Sequence, residues 1–215
     1  MSTNIEEEEI WRLKLPIRPG SDLSSKMLLR EDYIKNIIIS RVIKEVIAGD
    51  TYYVGPNEQI DKKMTDVVYL PYNKKSREFP PIIVEIQGKV DHFFMHRIMR
   101  YSLNLFEETK VLPIVVVINV NGFSSRNFKN NTFDKNANHP YYTHPCDLWA
   151  DKIFIYNADS IAQFIENSPL DPMIALVYFI TQQERNILAL DKFDDQTINK
   201  IYNIAYNIYS LNDSI

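Results

Sequence analysis

Cysteine is almost absent: Cys146 stands alone. An internal disulfide is therefore impossible, and a reducing intracellular compartment, cytoplasm or nucleus, is the expected home. Glycine is scarce as well, with five in the chain, and they form no Gly-rich loop of the kind that cradles nucleotide phosphates. No unbroken apolar run approaches the roughly 20 residues a membrane span needs, so no membrane partner is expected. Nor is secretion, because Glu6 to Glu9 occupies the place where a leader has its basic and apolar regions. There is no Gly-x-Ser-x-Gly elbow for a serine hydrolase, and no internal repeat.

What is present is the make-up of a globular chain, 45% hydrophobic and 24% charged, which excludes wholesale disorder, a collagenous chain and a coiled-coil rod. A length of 215 residues suits one domain with extensions. The net charge of −4 argues against indiscriminate nucleic-acid binding, but it is unevenly spread. From Asp61 to Lys129 there are eleven Lys/Arg against seven Asp/Glu, and from Asp147 to the end four against ten. A basic middle fits a protein that holds phosphates at one place; an unevenly charged solvated surface fits it too.

Along the chain, residues 1–23 read as a tail, acidic and then punctuated by Pro16, Pro19 and Gly20. Ser24 or Ser25 caps an expected helix running to about Ala48, its buried stripe formed by Ile34, Ile38, Val42 and Val46. Strands are expected at Thr51 to Val54, Thr65 to Leu70 and Ile82 to Gln87. A second helix follows from Asp91 to about Lys110. Leu112 to Val120 reads as a strand buried on both faces, because it does not alternate. Residues 121–145, with six Asn plus Gly122, Pro140 and Pro145, read as a long and poorly ordered loop. A last strand at Lys152 to Tyr156 and helices near 160–167, 172–189 and 195–210 complete an α/β chain with a mixed sheet.

The chemistry concentrates in Asp66 and in Ile82-Ile83-Val84-Glu85-Ile86-Gln87-Gly88-Lys89. An antiparallel hairpin centred near Ser76 sets Asp66 opposite Glu85 and Ile86. Alternation puts Glu85 and Gln87 on one face, with Val84 and Ile86 on the other. A carboxylate within so apolar a strand costs several kcal/mol unless paired or bound to a cation. Two converging there are best reconciled by a hard divalent metal with oxygen ligands. The plainer alternative starts a strand at Asp66 and turns Glu85 to solvent.

This order of elements resembles the PD-(D/E)XK nuclease superfamily, whose core is a helix, a hairpin carrying Asp and Glu-x-Lys, a helix and another strand. The resemblance spans roughly Lys26 to Val120, more weakly to about Ile165. Within the superfamily the chain looks most like the recombination-promoting nucleases related to transposases. Those show a Glu-x-Gln signature, a helix with an Arg and an Arg-Tyr pair, then a Leu-Pro strand. Here these are Glu85-Ile86-Gln87, Arg97, Arg100-Tyr101 and Leu112-Pro113-Ile114-Val115-Val116-Val117.

The resemblance implies a restriction-endonuclease-like core, a mixed central sheet flanked by helices, over residues 24–165; residues 166–215, beyond its reach, read as a helical extension packed on that core. It implies that Asp66, Glu85 and the Ile86 carbonyl ligate Mg²⁺ (or Mn²⁺). Gln87 stands where the superfamily usually has its lysine, and glutamine neither carries charge nor acts as a base. Lys89 is a candidate for the missing cation. The superfamily often adds a Glu from the first helix, for which Glu31 is preferred over Glu45. Arg97, Arg100 and Asn104 recur on one face of the second helix, suited to a phosphate backbone or to plain solvent. The implied activity is hydrolysis of DNA, with RNA a further substrate class, in the service of a mobile element. A homodimer would supply the two sites that cutting a duplex asks for.

Three other readings compete. A nuclease fold that has lost its reaction would act as a nucleic-acid or protein binding module. His92 and His96, four apart on one helix, with His139, His144 and Cys146 in the following loop, have the makings of a zinc site. A Cys146 nucleophile assisted by His144 is the third.

Overall fold

A computed structural model describes residues 13–43, 51–56, 65–72 and 78–212. Two short helices, α1 (Asp22–Leu28) and α2 (Asp32–Val42), precede strands β1 (Tyr52–Val54), β2 (Val67–Pro71) and β3 (Ile82–Gln87). Helix α3 (His92–Thr109) leads to β4 (Ile114–Asn119), then α4 (Arg126–Thr132), β5 (Asp134–Lys135), β6 (Tyr142–Thr143) and β7 (Lys152–Tyr156). Helices α5 (Ala158–Ile161), α6 (Pro172–Gln182) and α7 (Gln196–Asn212) follow, with a 3₁₀ turn at Ile187–Ala189. The fold is mixed α/β, with seven strands and seven α-helices among the described residues.

The sheet order is β1-β2-β3-β4-β7-β6-β5. β3, β4 and β7 run parallel, and the strands on either side pair antiparallel. Central β4, with every residue buried, has side chains packed on both faces, as its unbroken Ile-Val-Val-Val-Ile run requires. One face carries Val67, Tyr69, Ile82, Val84, Ile114, Val116 and Ile118 against a core with residues of α1, α2, α6 and α7. The opposite face carries Val68, Ile83, Val115, Val117 and Ile155 against Phe94, Ile98, Tyr101 and Leu105 of α3 and Phe128 of α4. Burying each such Val, Ile or Phe contributes about 1.5–3 kcal/mol, which anchors α3 across the sheet.

Three regions differ from the sequence expectation. The first helix is two helices, with its start moved to Ser21, whose hydroxyl caps α1. The break at Leu29 to Glu31 is held by a tertiary bond: Tyr69 Oη donates to the Leu29 carbonyl at 2.6 Å from the buried heart of β2. Ile34, Ile38 and Val42 are buried as a stripe, while Glu45, Val46 and Ala48 lie outside the described residues. Part of the expected tail is docked as well. Leu15 is wholly buried, and Arg185 donates to the Leu15 and Pro16 carbonyls. Gly20, at φ +75, lies so close to Ile180 that a Cβ there would meet its carbonyl oxygen at 2.9 Å.

The third difference is the asparagine-rich stretch, which is structured. Ser125 caps α4 by accepting the Phe128 N–H at 3.0 Å. Phe133 packs on Phe123 and Phe128 with ring centroids 4.9 and 5.5 Å away, and Phe123 on Tyr142 at 5.2 Å. Aromatic burial outweighs the poor local propensity of the asparagines. The residues beyond 165 are continuous with the rest, since Leu176, Phe179 and Tyr202 share one core cluster with Ile34 and Val116.

Candidate active site

The hairpin register pairs Val67 with Val84, so the next position sets Asp66 against Glu85. Both are nearly sealed from solvent, 6% and 4% exposed. Asp66 Oδ2 accepts the Ile86 N–H at 2.7 Å, a charge-assisted bond that draws the side chain onto the edge of β3. The Ile86 carbonyl leaves that strand on the same edge as its N–H. Glu85 Oε2 lies 3.8 Å from Arg97 Nη2, whereas Glu85 Oε1 has no hydrogen-bond partner among the described residues.

Burial pushes both carboxyls well above the ordinary range. For Asp66 it outweighs the lowering effect of the Ile86 N–H, and nearby Asp22 adds repulsion. For Glu85 burial is again the largest cause and the Asp66 charge the second, together overcoming Arg97. Arg97 is outmatched because its side chain is 42% exposed, and a half-solvated cation is screened. Among the described residues, Arg97 and Lys26 do not offset the burial of the pair, and a divalent cation with oxygen ligands would do so.

Gln87, on the same face as Glu85, is held at both ends. Its Oε1 accepts from Arg97 Nη2 at 2.7 Å, and its Nε2 donates to the Lys89 carbonyl at 2.9 Å. Strand β3 ends at Gln87, so Lys89 falls beyond Gly88 with an exposed side chain. Arg97, expected on the phosphate-facing side of its helix, therefore stands beside Glu85 and Gln87. Lys26 of α1 is a second cation within electrostatic range of both carboxyls, paired with Asp22 at 2.9 Å. Sequence reasoning missed both α1 residues. Their i, i+4 spacing was visible, but nothing local says that α1 reaches the end of the β2–β3 hairpin.

Glu31 takes the N-cap position of α2 without making a cap bond, and its raised carboxyl answers to burial and to Asp32. Among the described residues no group of three or more His, Cys, Asp or Glu is placed to hold a metal ion. Arg100 is exposed and Asn104 half-buried on the outer side of α3, while Ile98, Tyr101 and Leu105 are buried beneath them. Phe93, 84% exposed, lies a turn before Arg97 on that outer side, an exposed aromatic the sequence analysis did not single out.

The histidines are scattered into other roles. His92 packs on Phe128 with ring centroids 4.4 Å apart, His139 stacks on Tyr141, and His144 Nδ1 lies 2.8 Å from the Thr132 carbonyl. Burial pushes the Cys146 thiol up, the opposite of an activated thiolate.

Compared with models of protein families, with curated proteins and with solved structures, the chain matches none. The residues themselves carry the functional argument.

Proposed function

We propose that the chain is a metal-dependent endonuclease of the PD-(D/E)XK kind, with a restriction-endonuclease-like core and DNA as substrate. The observation that carries this reading is the pair Asp66 and Glu85: two buried carboxyls converging where a hairpin ends, both pushed above the ordinary carboxyl range by burial despite Arg97 and Lys26. Apolar side chains would be cheaper at both positions. The unpartnered Glu85 Oε1 fits a cation ligand, and Asp66 and the Ile86 carbonyl supply further oxygens from the same edge.

A divalent cation held by Asp66, Glu85 and the Ile86 carbonyl would supply Lewis-acid polarisation of a phosphate oxygen and would lower the pKa of a water beside it. Asp66 and Glu85 hold the negative charge that retains it. Arg97 presents a guanidinium beside that charge, where it can pair with a phosphate oxygen. Gln87, tied to Arg97 and the Lys89 carbonyl, keeps one amide hydrogen for orienting a water. On the outer side of α3, Arg100 extends the cationic surface and Phe93 offers a ring for stacking on a base.

One observation favours a binding module instead. Gln87 replaces the expected lysine, and its oxygen and one amide hydrogen are satisfied within the protein. Incubation of supercoiled plasmid with Mg²⁺ or Mn²⁺ separates the two. The nuclease cleaves, and loses cleavage with chelator and in a folded Asp66→Ala variant. A module that binds the plasmid uncut, or cleavage equal in both proteins, sinks the catalytic reading.

A further inference from the structure

Asn119 closes β4 with 0% of its surface exposed, and neither its amide nitrogen nor its amide oxygen has a hydrogen-bond partner among the described residues. A buried carboxamide left unmatched pays the desolvation of its donor and its acceptor with nothing in return, and native interiors rarely accept it. Asn119 belongs to the face of β4 that carries Val115 and Val117. The parallel register sets it directly opposite Gln87, with Glu85 opposite Val117. Adjacent strands lie about 4.8 Å apart, so Glu85 and Asn119 are diagonal neighbours on one face, at the carboxyl ends of the two central strands.

Two unmatched polar groups on one face, not bonded to one another, point to a shared bound group. Once Glu85 is ionised its Oε1 accepts only, so the group that satisfies it carries positive charge or donates hydrogens. We infer that the Asn119 Oδ1 is a further protein ligand of the divalent cation held by Asp66 and Glu85, an inference that rests on reading that pair as a cation site. The charge balance agrees. Two carboxylates neutralise a divalent ion, and a further neutral oxygen beside the Ile86 carbonyl adds a ligand without leaving net charge in a poorly solvated site.

The test is Mn²⁺ binding without nucleic acid, read at pH 8 from the loss of the free-ion electron paramagnetic resonance signal. Wild type, Asp66→Ala, Asn119→Leu and Asn119→Ala are compared, with circular dichroism melts of each metal-free protein. Wild type binds and Asp66→Ala does not. Both Asn119 variants weaken binding about tenfold or more, while Asn119→Leu, which removes the unmatched amide at nearly constant shape, melts no lower than wild type. Should the leucine variant unfold, the alanine variant carries the affinity comparison. Wild-type Mn²⁺ affinity in a folded Asn119 variant overturns the inference and leaves the cation site standing, with Asn119 then bonded to a structural water. No Mn²⁺ binding by wild type overturns the inference and the cation site together.

Discussion

Arg97 donates to Gln87 Oε1 at 2.7 Å while its guanidinium stands 3.8 Å from Glu85. One side chain of α3 thus serves both polar residues of the Glu85-Ile86-Gln87 signature. Removing a cation that stabilises developing charge on a phosphate costs on the order of a hundredfold in rate. Arg97→Ala is therefore expected to cut the rate of DNA cleavage by about that factor at saturating substrate. Arg100→Ala, on the outer surface, weakens binding, lowers the salt slope of log K by about 1 and spares the saturated rate. Rate and salt-dependent affinity measured on both variants check this; equal losses of rate would place Arg97 on the backbone alone.

The carboxyl pair makes the metal-free protein sensitive to alkali. Burial pushes Asp66 up to about 6 and Glu85 up to about 8, above their values in an unfolded chain. The folded state then binds more protons, so this contribution to stability is complete below about pH 4 and is lost as pH rises through about 6 and 8. Glu85→Gln removes most of that loss and gains up to a few kcal/mol near pH 8.5. Urea midpoints in chelator at pH 5 and pH 8.5 measure it. A wild type and variant with parallel pH profiles would contradict the assignment.

The break between α1 and α2 depends on Tyr69. Tyr69→Phe leaves the buried Leu29 carbonyl without its 2.6 Å donor, at an expected cost of roughly 1–3 kcal/mol. Urea denaturation gives the value, and no change in midpoint would mean that the helix break needs no tertiary bond.

Docking of the segment before α1 depends on Arg185, which donates to Leu15 O at 2.6 Å and Pro16 O at 2.8 Å while its own carbonyl accepts the Leu15 N–H. Arg185→Ala loses charge-assisted bonds of about 1.5–3 kcal/mol and exposes Lys14–Leu15 to trypsin. Faster cleavage after Lys14 is the expected result, read by mass spectrometry; an unchanged rate would leave Leu15 burial alone as the anchor.

Much of the frame was legible locally. The Ile82–Gln87 strand, the α3 helix between Asp91 and Lys110, and the doubly buried β4 each follow from short-range pattern, because apolar period and capping residues act within a few positions. The facing of Asp66 and Glu85 was legible too, since a hairpin's register follows from the spacing of its two strands.

What the sequence by itself determined is the kind of each element and the polar residues placed within apolar strands. Only the tertiary structure decided which of those residues meet. Arg97 joins Gln87 because α3 packs across the sheet; Lys26 and Asp22 come near the carboxyls because α1 stops where Tyr69, 40 residues on, receives the Leu29 carbonyl. Asn119 aligns with Gln87 through a parallel pairing that no turn connects. Local propensity acts through the backbone of neighbouring residues, whereas these contacts are set by burying apolar faces of distant elements against one sheet.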